Sequence, residues 1–315
     1  MRKPLVVLAA KAAQSGMPHQ PDFLTIRCGA RLTYDAVDPT HIVLLIQPRM
    51  DDGMRMESER LQFSPAVEVN MYRDVHGNTV RRFDLPVGKM TIYHDSFVTL
   101  SSHPETQGVP DSTLPVREMS EELLRYTLPT RYCDSDRLMD FAYREFGQVP
   151  HGLQRVQAIC DWVHEHIEYR WGSGSPHTTA SEVIAQRFGI CRDFAHVAIS
   201  MCRCFNLPAR YVTGHLPDVA CHDPGAPMDF HAYFQVYIGG RWNTYDARFN
   251  VARIGRVNIA CGSDAVDCAF STLYGAATLS WFEVWNYQVD PALVKLGDPI
   301  DLSKRLDGET TMRFA

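Results

Sequence analysis

The sequence predicts an α+β protein: an N-terminal β-sandwich domain, then helices packed on an antiparallel sheet. Three observations carry this prediction. Residues 22–105 are a succession of short runs rich in β-branched and aromatic residues, punctuated by turn signals. Residues 135–205 change to helical periodicity. From about residue 209 onward, strand-like alternation returns.

Taken in order, the chain opens with MRKPLVVLAAKAAQ, where Lys11 interrupts the apolar run Leu5–Ala10. That run makes a poor signal-peptide core, so the expected location is the cytoplasm. The segments FLTIRCGARLTY, HIVLLIQP, ESERLQFSP, AVEVNMYRD, TVRRFDLP and KMTIYHDSFVTLS then read as strands, with His76-Gly77-Asn78 among the turn signals. Several short strands at this spacing indicate a sandwich. SSHPETQGVPDSTLP, at 101–115, reads as a linker because its Pro, Gly, Ser and Thr residues build no core. The expected division is an N-terminal β-rich domain over residues 1–110 and a second domain over residues 111–315.

SDRLMDFAYREFG, GLQRVQAICDWVHEHIEY and TASEVIAQRFG read as helices, with Ser135 and Thr179 as N-cap candidates. A further helix is expected over CRDFAHVAISMCRCFNL, where Cys191, Phe194, Ala195, Ala198, Met201, Cys202 and Phe205 form one apolar stripe. Val197 and Ile199 widen it, so this helix is expected to be buried nearly all round. Gly189 permits a sharp entry turn and Pro208 marks the stop. Cys191 thus lies at the first turn of a central helix, where free backbone N–H groups and the dipole favour a thiolate. The same N–H groups suit an oxyanion. His196 is five residues on, about 140° around the helix, and faces away from Cys191. It reads as a structural histidine.

MDFHAYFQVYIGGRWNTYDARF has the form of a hairpin turning at Gly239-Gly240. A two-residue loop pairs Ile238 with Arg241 and sets Tyr233 opposite Asp246 and His231 opposite Arg248. His231 and Asp246 then share a face as diagonal neighbours, about 7–8 Å apart at the backbone. An imidazole and a carboxylate bridge that distance. A one-residue slip would destroy the relation. Nucleophile, base and orienting carboxylate are therefore available as Cys191, His231 and Asp246.

Composition narrows the alternatives. The 315 residues carry 31 basic and 37 acidic side chains, a net charge of −6, which gives no footprint for nucleic acid. No stretch is apolar for the roughly 18 residues a membrane helix needs. Nine scattered cysteines, an odd number with no CxxC pair, indicate reduced thiols. His215, Cys221, His222 and His231 cluster in sequence but fit no zinc spacing. Cys202 and Cys204 are about 200° apart on a helix and cannot chelate together. Neither metal nor cofactor is expected.

GICRDFAH, LPARYVTGHL and MDFHAYFQVYIGGRWNTYDAR together resemble the transglutaminase-like superfamily. The similarity is to bacterial members with a β-rich N-terminal region, and it extends over most of the chain. DVHGNTVRRFDLP, IEYRWGSGSPHTTASEVIAQRFGIC and RIGRVNIACGSDAVDCAFSTLYG also carry it. The resemblance implies a papain-like core in which Cys191 is the nucleophile, His231 the base and Asp246 the orienter. Many members have Asp-Pro-Thr at the aspartate; this chain has Asp246-Ala247-Arg248. The family often adds an upstream aromatic oxyanion donor, and Trp171, or Tyr169, is the candidate. Asp193 matches a family position and reads as a helix cap. The implied chemistry is acyl transfer on amides through a thioester. Hydrolysis of a peptide or other amide is the first expectation, and transamidation or an inactive binding module on the same fold are the alternatives.

Overall fold

The computed structural model describes residues 22–51, 53–105, 109–221 and 228–307. Residues 1–14, read above as a poor signal-peptide core, and His222 lie outside them. Six strands come first: β1 (Phe23–Ala36), β2 (Thr40–Leu44), β3 (Arg55–Ser64), β4 (Asn70–Arg73), β5 (Thr79–Leu85) and β6 (Gly88–Ser101). Next come α1 (Glu121–Leu124), α2 (Met139–Phe146), α3 (Leu153–His166), β7 (Glu168–Tyr169), α4 (Ala180–Gln186), β8 (Phe188–Gly189) and α5 (Cys191–Cys204). Strands β9 (Ala209–His215), β10 (His231–Ile238), β11 (Arg241–Tyr245), β12 (Val257–Gly262), β13 (Ser271–Tyr274) and β14 (Ala277–Gln288) complete the set.

Two antiparallel four-stranded sheets, β14-β1-β6-β3 and β13-β2-β5-β4, form the expected sandwich. Alternate residues of β1, including Leu32 and Tyr34, meet Ile42, Leu44, Phe83 and Leu85 of the facing sheet in one core. The sandwich draws on both ends of the chain. β14 pairs along β1 and β13 along β2, so strands beyond residue 270 close edges that the first six leave open. A cut at residue 110 would separate these partners.

Gly29 of β1 shows how tightly this sheet is built. A Cβ there would meet the His94 carbonyl oxygen at 2.1 Å and Trp285 Cζ2 at 2.6 Å. The bare backbone lets the Trp285 indole cross the strand and donate to Asp95 Oδ1 at 2.9 Å, beside the buried Arg27–Asp95 pair at 2.8 Å. Gly29→Ala is expected to destabilise by about 2–3 kcal/mol through overpacking. The check is a thermal melt lowered by about 3–5 °C; an unchanged melting point would refute the packing argument.

The second layer system is the antiparallel sheet β11-β10-β9-β12, with α5 against one face. Every residue of α5 from Asp193 to Cys204 is buried, as the widened apolar stripe requires. Val156, Ile159 and Val163 of α3 and Val183 of α4 pack around it. Thr179 caps α4, its backbone N–H donating to Glu182 Oε2 at 2.8 Å. Ser135 does not cap α2: it is itself buried, at the start of a 3₁₀ turn, and α2 begins only at Met139. The sandwich meets this sheet through Ile26, Cys28, Val98 and Leu100 against Val219 and Val257. No helix among the described residues is long and apolar enough to cross a membrane.

Candidate active site

The entry to α5 is set by three neighbouring residues. The Asp193 carboxylate reaches back to accept the Ile190 backbone N–H at 2.9 Å, and Arg192 pairs with its other oxygen at 3.2 Å. Gly189 makes room for this cap: a Cβ there would lie 2.7 Å from Asp193 Cβ. Space is therefore the reason for the glycine. Helix α5 starts at Cys191. Its N–H has no acceptor within the helix, and the positive end of the dipole faces the thiol.

The hairpin has the register that parity required. Ile238 pairs with Arg241 and Phe234 with Tyr245. Both turn glycines have positive φ, 66° and 78°, as a two-residue primed turn demands. His231 Nε2 lies 2.7 Å from Asp246 Oδ2. The other ring nitrogen is left for Cys191, with which His231 shares a side-chain hydrogen bond. The three residues singled out in the sequence thus converge on one site.

Two further groups complete Asp246. Its Oδ1 accepts the backbone N–H groups of Arg248 at 3.0 Å and Phe249 at 3.3 Å. Its Oδ2 also accepts from buried Arg256 at 2.9 Å, and Arg256 pairs in turn with Glu105 at 2.9 Å. Neither Arg256 nor Glu105 was found from the sequence. Arg256 sits in a block the resemblance quoted, RIGRVNIACG, but nothing local marks it; Glu105 sits in the segment read as a linker. The sandwich also reaches the site: Phe230, next to His231, packs on Phe270 at 5.6 Å and Phe282 at 5.8 Å.

Electrostatics follow from these contacts. Burial works against the Asp246 carboxylate, but the charges of His231 and Arg256 hold it well below the usual carboxylate range. Burial pushes His231 down; Asp246 and Cys191 outweigh it and raise the imidazole above its ordinary value. Burial also pushes the Cys191 thiol up, and the His231 hydrogen bond and charge, the Ala232 N–H and Arg248 together bring it below its ordinary value. Cys191 is alone in this. Burial drives Cys28, Cys133 and Cys204 up to about 12 and Cys221 up to about 11, and it raises Cys160, Cys202, Cys261 and Cys268 as well.

Other candidates separate from the site. His196 stacks on Tyr132 at 5.0 Å and accepts the Ala265 N–H at 3.2 Å, a structural role. His215 is fully buried between strands, and burial takes it down to about 3. Trp171, named above as the oxyanion candidate, is 83% exposed on the turn after β7. Tyr169, on the strand paired with Gly189, is half-buried and near enough to Cys191 for the thiolate to help raise its hydroxyl, behind the larger effect of burial. Arg248 is not opposite His231 in a ladder, because pairing ends at Tyr245 and the chain turns over 247–249. A cavity of about 1160 Å³ has Arg256 in its wall but neither Cys191 nor His231. Cys191 lies outside that cavity and is a partly exposed residue.

Residues 139–247 match the family model described as the transglutaminase-like superfamily. The fold is similar to that of a proposed cysteine protease from Cytophaga hutchinsonii, with a TM-score of 0.76 and 29% identity over 86% of this chain and 92% of that one. An uncharacterized Mycobacterium leprae protein is 25% identical over 230 residues, 71% of this chain and 82% of that protein. An uncharacterized Mycobacterium tuberculosis protein is 28% identical over 182 residues, covering 54% of this chain and 58% of its own length.

Proposed function

Because this chain carries a transglutaminase-like core, we propose that it is a cysteine hydrolase that cleaves amide bonds through a thioester on Cys191. One observation carries the reading: the only thiol held below its ordinary value is the one bonded to a histidine that is itself 2.7 Å from a buried carboxylate.

The Cys191 thiolate attacks the amide carbonyl, and the carbonyl π electrons move to oxygen. The N–H at the start of α5 donates to that oxyanion. The oxyanion collapses and expels the amine, which takes the proton held by His231, leaving a thioester. Water then gives a proton to His231 and attacks the thioester carbonyl. The thiolate leaves, and the ion pair re-forms. Asp246, fixed by Arg256 and two backbone N–H groups, keeps the imidazole oriented throughout. Hydrolysis is preferred to transamidation because water is always present, and the description of the Cytophaga hutchinsonii relative as a proposed cysteine protease supports it. The proposed setting is the cytoplasm, supported by the odd, scattered set of nine cysteines.

The test is to incubate the protein with a mixture of peptides and a small primary amine, quench in acid, and map adducts and products by mass spectrometry. An acyl adduct on Cys191, with water-derived carboxylic products, is expected. Products that carry the added amine would assign a transamidase. The absence of any Cys191 adduct, together with unchanged peptides, would favour a binding module on the same core.

A further inference from the structure

Two residues beyond Asp246 the chain places an arginine that the mechanism leaves largely unused. The backbone of Arg248 is pinned on both sides: its N–H donates to Asp246 Oδ1 at 3.0 Å, and its carbonyl accepts from His164 Nδ1 at 2.8 Å. Its guanidinium carbon lies 3.5 Å from the centroid of the Tyr169 ring and 4.6 Å from that of Phe249. Phe249 in turn lies 5.3 Å from the His231 ring. Tyr169 is on the strand that pairs with Gly189, two residues before the nucleophile. The cation is therefore bracketed between the wall that carries the base and the segment that delivers the thiol.

The state of its donors sets it apart from the other arginines around the site. Arg256 is spent on Asp246 and Glu105, Arg192 on Asp193, and Arg253 on Asp218. Among the described residues, no carboxylate pairs with Arg248, and the residue is partly exposed. Stacking on aromatic rings occupies the faces of a guanidinium and leaves its N–H edges free, in the fork geometry that matches a carboxylate. Asp229, exposed on the segment entering β10, is a carboxylate near His231, so the field here is not simply that of a basic patch.

We propose that Arg248 is a specificity-determining residue, selecting amide substrates that carry a carboxylate beside the bond attacked. The inference rests on Cys191 being the nucleophile of the reading above. It adds that the departure from Asp-Pro-Thr at residues 246–248 gives the site a substrate class.

Two alkylating agents of nearly equal size test it without knowledge of the natural substrate. Iodoacetate is anionic and iodoacetamide neutral; with either, the thiolate forms an S–C bond as the C–I bond breaks and iodide leaves. Full-length protein is given both reagents in competition, and the two Cys191 products are quantified by mass spectrometry, with mercaptoethanol as the reference thiol. Wild-type Cys191 is expected to favour iodoacetate relative to the reference. Arg248→Met should lower the iodoacetate-to-iodoacetamide ratio by about five- to tenfold, the low end of what one nearby unit charge supplies. Arg248→Glu should lower it further, and Arg248→Lys should retain most of it. Salt at about 1 M should erode the wild-type preference and leave that of Arg248→Met nearly unchanged.

The iodoacetamide rate is the internal control for folding and thiolate formation. Fast reaction with iodoacetamide and a ratio unmoved by Arg248→Met overturns the inference and leaves the nucleophile in place. A wild-type Cys191 that is slow with both reagents overturns the nucleophile, and the inference with it.

Discussion

Replacing His231 with alanine should abolish the rapid alkylation of Cys191 at mildly acidic pH and leave the other eight cysteines unaffected. The argument is one of sign. Burial alone raises a thiol, as it does for those eight. Cys191 is lowered because the imidazolium is hydrogen-bonded to it. Removing the ring removes the largest part of that compensation, leaving the Ala232 N–H and Arg248, and keeps the burial, so the thiol moves up from its lowered position. Each unit of that rise cuts the thiolate fraction tenfold, and the iodoacetamide rate near pH 6 should fall by about a hundredfold or more. The raised position of His231 fixes the other limb: the imidazolium persists above its ordinary value of about 6.5 and is lost only as pH rises through its folded value. Peptide mapping of all nine cysteines between about pH 5 and 9 gives both limbs. A wild-type Cys191 that reacts only near about pH 8.5, or a variant with an unchanged profile, would remove the ion pair and the catalysis built on it.

Arg256→Met is expected to have the largest effect on stability, a loss of about 3–5 kcal/mol at neutral pH. The guanidinium is buried, and it bonds Asp246 at 2.9 Å and Glu105 at 2.9 Å. A methionine fills most of the volume and leaves two carboxylates near each other without the cation between them, with His231 and backbone N–H groups as the remaining compensation. The pH dependence distinguishes this from a packing defect. Burial already raises Glu105 despite Arg256, so in the variant Glu105 takes up a proton more readily still. The deficit should therefore shrink as pH falls towards 5 and grow towards 8. In the wild type, Asp246 is lowered, so its stabilising contribution is present above the unfolded value of about 3.9 and lost as pH falls through the folded value. Thermal melts at about pH 5 and 8 measure the difference, and adding Glu105→Gln to Arg256→Met should recover part of the loss. A melting point within about 2 °C of wild type at pH 8 would show that the ion pair contributes nothing net.

Much of this site was readable from the sequence, for identifiable reasons. The helix start at Cys191 follows from an apolar stripe at i, i+3, i+4 spacing, and the burial of α5 bears that stripe out. The relation between His231 and Asp246 follows from a two-residue turn and the period of two in a strand, and the pairing of Ile238 with Arg241 has that register. The strands of residues 22–105 were legible for the same reason: their periodicity is local. Features that depend on distant segments were not. β14 closing on β1 joins residues more than 240 apart, and no local pattern states which edge a strand will take. Nor does a local pattern state how exposed Trp171 will be; the turn that carries it leaves it 83% exposed.

The same distinction explains the charges. Sequence alone determined which residues could be nucleophile, base and orienter, because short-range geometry decides whether they share a helix start or a hairpin face. Only the tertiary structure decided how those groups are electrostatically set. Glu105 arrives from the segment between sandwich and core, Arg256 from the loop just before β12, and Arg248 lies on Tyr169 beyond the end of the ladder. Ionisation depends on distance and burial summed over every nearby group, whatever its place in the chain. That sum exists only once the chain is folded.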